Sequence, residues 1–337
     1  MNTVLLGTTD PELEEAARLL KSGEVVGIPT ETVYGLAANA FNAEAVKKIF
    51  AAKGRPCDNP LIVHISSMDM IGDIASQVPE AAIKCAKRFW PGPLTMIMPK
   101  SDKIPLVTSG GLDTVGIRFP SNPVARRIIE LCGFPLAAPS ANLSGSPSPT
   151  NASRVMEDMN GRIAAIVDGG ESDVGVESTV ISFEGNAIRL LRPGKISVEL
   201  LRTVCDEVLV DRGVTDKLAE GVIVRSPGMK YKHYAPKANV VLVDSDLDSY
   251  KEYVASNAVQ GDYCLLFDES EKIPGVPYLT YGLSSEAQAH CLFERLRQFD
   301  ELGAKTVYTR CPSQNGVGLA VYNRILRSAG FNLVRLK

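Results

Sequence analysis

Histidine is nearly absent: His64, His233 and His290 are all there is in 337 residues. Seven cysteines are scattered with no C-x-x-C pair. Few imidazoles and no paired thiols argue against a protein-built zinc site. An odd cysteine count also argues against a disulfide framework, and for free, mostly buried thiols in a reducing compartment. No apolar run approaches the ~18 residues needed to span a bilayer. The segment Met1–Gly7 lacks the basic start and long apolar core of a secretion signal, so a cytoplasmic location is expected. Neither sign of charge dominates, since 36 Lys+Arg against 39 Asp+Glu leave −3. That excludes a bulk polyanion binder and confines any nucleic-acid contact to a local patch. Also missing are G-x-x-x-x-G-K-[ST], G-x-G-x-x-G, G-x-S-x-G and H-E-x-x-H. Any phosphate chemistry therefore falls to side-chain cations and hydroxyls.

What is present is ordinary for a soluble globular chain: 45% apolar and 22% charged residues. At ~150 residues per domain the length suggests about two domains. Asp10 as cap, Pro11 at the first turn and acidic Glu12, Glu14 and Glu15 predict a first helix, with Leu13, Ala16, Ala17 and Leu20 on its apolar face. A buried strand over 25–28 then leads into a hydroxyl-rich turn, Pro29-Thr30-Glu31-Thr32-Val33-Tyr34-Gly35. Asn42 opens a second helix that Gly54 stops. Irregular alternation of strands and helices to about residue 212 predicts an α/β sheet of partly mixed direction. From Asn239 a regular strand–helix alternation predicts a small doubly wound α/β domain. The expected division is 1–212, a linker over 213–238, and 239–337. Two tyrosines and a histidine make 221–237 unusual for a passive connector.

Four clusters carry chemistry. Lys53-Gly54-Arg55-Pro56 and Asn59-Pro60-Leu61 place two cations and a carboxamide just past a helix end, a set that suits a triphosphate. K-x-R alone is more often a solvated basic turn. Ala138 to Ser148 is a loop of small and hydroxyl residues that lets backbone approach a ligand. Arg118 sits inside the apolar strand Thr114–Arg118, so it meets either a structural carboxylate or an anionic ligand. Glu177-Ser178-Thr179-Val180 and Leu191-Arg192-Pro193-Gly194-Lys195 again put polar groups at strand ends. Alone, His64 reads as a core histidine, and Cys57, with no histidine beside it in sequence, as incidental.

Together these segments, with Trp90-Pro91-Gly92-Pro93-Leu94-Thr95, Arg118-Phe119-Pro120 and Pro139-Ser140-Ala141-Asn142-Leu143-Ser144-Gly145, resemble the YrdC/Sua family of threonylcarbamoyl-AMP synthases over about residues 10–205. Ser226 to Pro236 resembles the linker of its two-domain Sua-type members. The resemblance implies a twisted mixed-sheet α/β catalytic domain with a concave basic cleft, plus a small Rossmann-like C-terminal domain. It implies that L-threonine, bicarbonate (or CO2) and ATP give threonylcarbamoyl-AMP and pyrophosphate, the first step of N6-threonylcarbamoyladenosine (t6A) formation in tRNA. The product would pass to the tRNA threonylcarbamoyl transferase machinery. It further implies Thr32, His64, Arg118, Ala138 and Ser178 at threonine. Lys53, Arg55, Asn59, Thr114, Ser140, Asn142, Ser148, Arg192 and Tyr231 are implied at ATP, with Mg2+ arriving on the nucleotide. The linker, through Tyr231 and His233, would close over the cleft and keep the adenylate from water. Two rivals are a double-stranded RNA-binding accessory factor and a carbamoyl-transfer module. Nothing in the sequence demands more than a monomer.

Overall fold

The computed structural model describes residues 2–216 and 234–336. Tyr231, His233 and with them the expected lid lie outside the described residues. The first sheet holds, in chain order, β1 Val4–Leu6, β2 Val26–Ile28, β3 Gly35–Asn39, β4 Ile62–His64, β5 Leu94–Pro99 and β6 Thr114–Arg118. It continues with β7 Leu136–Ala137, β8 Ala165–Val167, β9 Thr179–Glu184, β10 Ala187–Arg192 and β11 Val208–Val210. The spatial order is β1-β8-β2-β3-β7-β4-β6-β5-β9-β10-β11. Pairing is mixed: β4–β6 and β5–β9 run parallel, while β5–β6, β3–β7 and β9–β10 run antiparallel.

The second sheet, β12 Asn239–Asp244, β13 Tyr263–Leu266, β14 Tyr278–Thr280, β15 Thr306–Arg310 and β16 Leu333–Arg335, has the order β14-β13-β15-β12-β16. All its pairs are parallel. Helices Leu247–Asn257, Ser285–Glu301 and Gly318–Ser328 cover it, so the inner strands β12 and β13 are largely buried and read as apolar runs, while the edge strands β14 and β16 are half-buried. This is the doubly wound architecture the alternation predicts.

Local signals decide most boundaries. Asn42 caps the helix Ala43–Lys53 by accepting from the Glu44 and Ala45 N–H groups, and Gly54 ends it at φ 62°. The first helix starts differently from expectation. Thr9, not Asp10, is the cap, because Glu12 reaches back to the N–H groups of Thr9 and Gly7 at 3.2 and 2.8 Å. Strand β3 follows a segment read as a turn. Its Gly-Leu-Ala-Ala-Asn sequence lacks β-branched residues and is buried on both faces, so neither propensity nor period announces it. The thiols are free, but only Cys85, Cys132 and Cys264 are buried and Cys57 is exposed, so the expectation of mostly buried thiols does not hold.

The two sheets are joined by arginines. Arg154, on the helix Ala152–Met159, bonds Glu294 at 2.6 Å and Glu301, both on Ser285–Glu301. Gly175, at φ +81°, lies so close to this helix that an added Cβ would sit 2.4 Å from the Ala289 carbonyl oxygen and the His290 Cα. A side chain there is opposed by both backbone strain and overpacking. Gly175→Ala should therefore destabilise the chain by about 2 kcal/mol or more, read as the urea midpoint at unchanged slope. An unaltered midpoint would refute this close contact.

Candidate functional site

Strand register assembles the site. His64 and Arg118 close the parallel neighbours β4 and β6 and are register partners. Arg118 faces Thr95 across β5, and Thr95 in turn faces Val180 on β9, two residues beyond Ser178. Arg192, the last residue of β10, pairs with the same Val180. On the other side, the Ala138 N–H bonds the Ile62 carbonyl at 2.9 Å, and Ser140 bridges Gly35. Residues 64, 118, 138, 140, 178 and 192, far apart in sequence, thus reach one edge. There they border one cleft.

All five residues expected at threonine line this cleft: Thr32, His64, Arg118, Ala138 and Ser178. Of those expected at ATP, Lys53, Arg55, Ser140, Asn142 and Arg192 line it. Three others do not. Asn59 is buried beside Pro60 with neither carboxamide atom hydrogen-bonded. Thr114 borders a small adjoining recess that shares Pro60, Leu61 and Ile62 with the cleft. Ser148 lies behind the wall, its hydroxyl donating to Glu177 Oε1 at 2.5 Å. The cleft also includes Thr30, Tyr34, Glu177 and Tyr234, to which sequence reasoning gave no role. Their signals were the quoted motifs themselves, in which each stands beside an assigned residue.

The charges are buried and individually compensated. Arg118 Nη2 lies 2.8 Å from Glu31 Oε1, both side chains about 95% buried. Nη2 meets the Glu31 carboxylate, while Nε of Arg118 has no acceptor. Arg118 therefore meets a structural carboxylate and still carries a donor for a ligand. Burial alone would raise the Glu31 carboxyl, but the Arg118 guanidinium overrides it and holds it below the ordinary carboxylate range. Glu177 behaves alike: burial pushes up, while Arg324 and Arg192 with the Ser148 hydroxyl push further down. Lys53 donates to the Ser140 and Asn142 carbonyls, the latter at 2.7 Å, so its ammonium ties the small-residue loop to the helix end. Burial, then neighbouring Arg55, depresses its pKa well below the usual lysine value. Arg192 bonds the Ser178 carbonyl and hydroxyl, each at 3.1 Å, and Ser178 Oγ meets Thr95 Oγ1 at 2.8 Å.

His64 is fully enclosed, with Nδ1 3.2 Å from the Ile62 carbonyl. Burial and the nearby Arg118 push it down to about 3, so it is a neutral hydrogen-bonding group at physiological pH. The core-histidine reading and the ligand reading meet here, since the ring is buried and lines the cleft. Chemically, this edge offers cations and alcohols to a polyanion, with no nucleophile-and-base pair. A double-stranded RNA surface would instead present its cations on an open face.

Comparison with known proteins agrees. The Sua5/YciO/YrdC domain model, described as "Telomere recombination", matches residues 18–194, and the model for the "Threonylcarbamoyl-AMP synthase, C-terminal domain" matches 196–330. The chain belongs to the Sua5/YciO/YrdC family, and the second match places it among the two-domain, Sua5-type threonylcarbamoyl-AMP synthases. The threonylcarbamoyl-AMP synthase of Pyrococcus abyssi is 44% identical over 326 residues, covering 95% of each chain. That of Bacillus subtilis is 44% identical over 337 residues, covering 98% of this chain and 96% of the other. The crystal structure of P. abyssi Sua5 complexed with L-threonine superposes with a TM-score of 0.93 at 40% identity, over 99% of this chain and 100% of that one.

His64 makes stability depend on pH. The folded ring accepts a proton only near pH 3, whereas the unfolded one does so near 6.5. Its contribution is therefore complete above about pH 6.5 and is lost as pH falls toward 3, at about 1.4 kcal/mol per pH unit. His64→Asn should flatten the fall of unfolding free energy between pH 6 and 4. Equal slopes for the two proteins would contradict the buried, neutral ring.

Proposed function

We propose that the chain acts as a nucleotidyltransferase: it joins L-threonine, bicarbonate or CO2, and ATP into L-threonylcarbamoyl-AMP, releasing pyrophosphate. The observation that carries this reading is the convergence of Arg118, Lys53, Arg55 and Arg192 on one cleft whose wall also carries the hydroxyl residues Thr30, Thr32, Ser140, Ser144 and Ser178. The relatives' shared activity supports it.

The chemistry has two parts. The threonine amine takes up CO2 as a carbamate, or condenses with bicarbonate and releases water. A carbamate oxygen then attacks the α-phosphorus as the bond to pyrophosphate breaks. Such transfers need positioning and charge neutralisation rather than a covalent enzyme intermediate. Arg118, with a donor left over from Glu31, holds the threonine carboxylate. Thr32 and Ser178 hold its polar groups, Ala138 leaves room for them, and neutral His64 adds a hydrogen bond without repelling the amine.

Lys53, Arg55, Ser140, Asn142 and Arg192 receive ATP, with Asn59 and Thr114 at the margin and Ser148 acting through Glu177. Phosphates beside Lys53 favour its charged form, which burial opposes. The hydroxyls of Ser140 and Ser144 are neutral donors that suit a hydrated Mg2+ carried by the triphosphate. When bound, that ion supplies charge neutralisation at the phosphates. The expected handover to a tRNA-modifying partner and the cytoplasmic location belong to the same proposal; no helix among the described residues is long and apolar enough to cross a membrane.

Pyrophosphate release from ATP should require threonine and bicarbonate together. Release without threonine would favour the carbamoyl-transfer rival. Arg118→Ala removes charged hydrogen bonds of roughly 1.5–3 kcal/mol each, so kcat/KM for threonine should fall at least about 100-fold. A loss under threefold would remove Arg118 from the site.

A further inference from the structure

We propose that the C-terminal domain sets the ATP half of the cleft through two positioning residues, Arg324 and Arg297, a proposal that rests on the ATP and threonine reading above. Arg324, on the helix Gly318–Ser328, is fully buried, yet it reaches across to the first domain. Its Nε donates to Glu177 Oε2 at 2.8 Å, and its Nη1 donates to the Pro193 carbonyl at 2.9 Å. The other Glu177 oxygen takes the Ser148 hydroxyl, and Pro193 directly follows Arg192. One guanidinium therefore fixes the segments 177–178 and 192–193 against each other. Arg324 also stacks near Tyr234, 5.6 Å from the ring centre, which lines the cleft.

Arg297 does the same for the opposite wall. Its Nη2 donates to the Pro147 carbonyl at 2.6 Å and to Asp158 Oδ2 at 2.8 Å. That Asp158 oxygen accepts the Leu143 N–H at 3.2 Å. Pro147 precedes Ser148 and Leu143 follows Asn142, so the loop is pinned at both ends. Leu143-Ser144-Gly145-Ser146-Pro147 has little intrinsic preference for one conformation, and an open loop of this kind would pay ordering entropy on each binding event. Two arginines from outside the domain remove that cost in advance.

The interface supplies its own control. Arg154 makes contacts of comparable strength between the domains, but its partners Glu157, Glu294 and Glu301 do not line the cleft. If cohesion were the whole purpose, all three arginines would behave alike.

The experiment is calorimetric binding of ATP with Mg2+, and separately of L-threonine, to the full chain and to Arg324→Lys, Arg324→Gln, Arg297→Gln and Arg154→Gln, with melting temperatures for each. Arg297→Gln should weaken ATP at least tenfold and threonine less than threefold, whereas Arg324→Gln, whose clamp also carries Ser178, should weaken ATP at least tenfold and threonine as well. Arg324→Lys, which keeps the charge but not the fork, should recover part of the loss. Arg154→Gln should lower the melting temperature with ATP affinity within twofold of the parent. ATP affinity within twofold in Arg297→Gln and Arg324→Lys would overturn the proposal. So would an equal ATP loss in Arg154→Gln. If Arg324→Gln does not fold, Arg324→Lys and Arg297→Gln decide. Binding does not need turnover, so a failed synthase reading shows in the parent chain, whereas a failed clamp shows only in the variants.

Discussion

Cations buried in one hollow must each be compensated where they stand, and the site is organised around that constraint. Lys53, Arg118 and Arg192 in the cleft, and Arg324 behind it, are all nine-tenths buried or more. Glu31 and Glu177 are the carboxylates set against them, both kept ionised by the guanidinium groups they face. Backbone carbonyls of Ser140, Asn142, Ser178 and Pro193 take up further donors. Two carboxylates do not neutralise four cations, so the cleft retains attraction for a polyanion. Removing one partner of such a buried pair typically costs about 3–5 kcal/mol, which makes these contacts conditions of the fold as well as of binding.

That constraint explains why strand ends matter here. A guanidinium at a strand end can be met by a carboxylate from a neighbouring loop. The His64–Arg118–Thr95–Val180 row, across four strands of mixed direction, carries Arg118 to the edge where Glu31 meets it. The antiparallel step between β5 and β6 brings the start of one strand to the end of the next. The Ser178 and Arg118 groups can then share an edge although sixty residues part them in the chain.

Much of this was legible in sequence, for physical reasons. The caps at Asn42 and Gly54, the apolar strand runs and the strand–helix alternation after Asn239 are local signals, and the structure follows them. Arg118 could be singled out because a charge inside an apolar strand demands a partner. What sequence could not give was which partner, since Glu31 lies on a separate loop. Nor could it show that Ser148 faces Glu177 rather than the cleft, or that Arg324, nearly 150 residues from Glu177, completes the wall. These are long-range pairings, and no local propensity encodes them. Strand β3 escaped for the opposite reason: it is local, but its alanines carry no period.

The proposed reaction requires the two substrates side by side in the cleft, with the amino acid on Arg118 and the triphosphate on the Lys53–Arg55 side. The most direct measurement is a crystal structure of the full chain with L-threonine and a non-hydrolysable ATP analogue. The threonine carboxylate should lie within hydrogen-bond distance of Arg118, and the α-phosphate should face the threonine amine. Threonine bound away from Arg118, or a nucleotide outside this cleft, would contradict this arrangement.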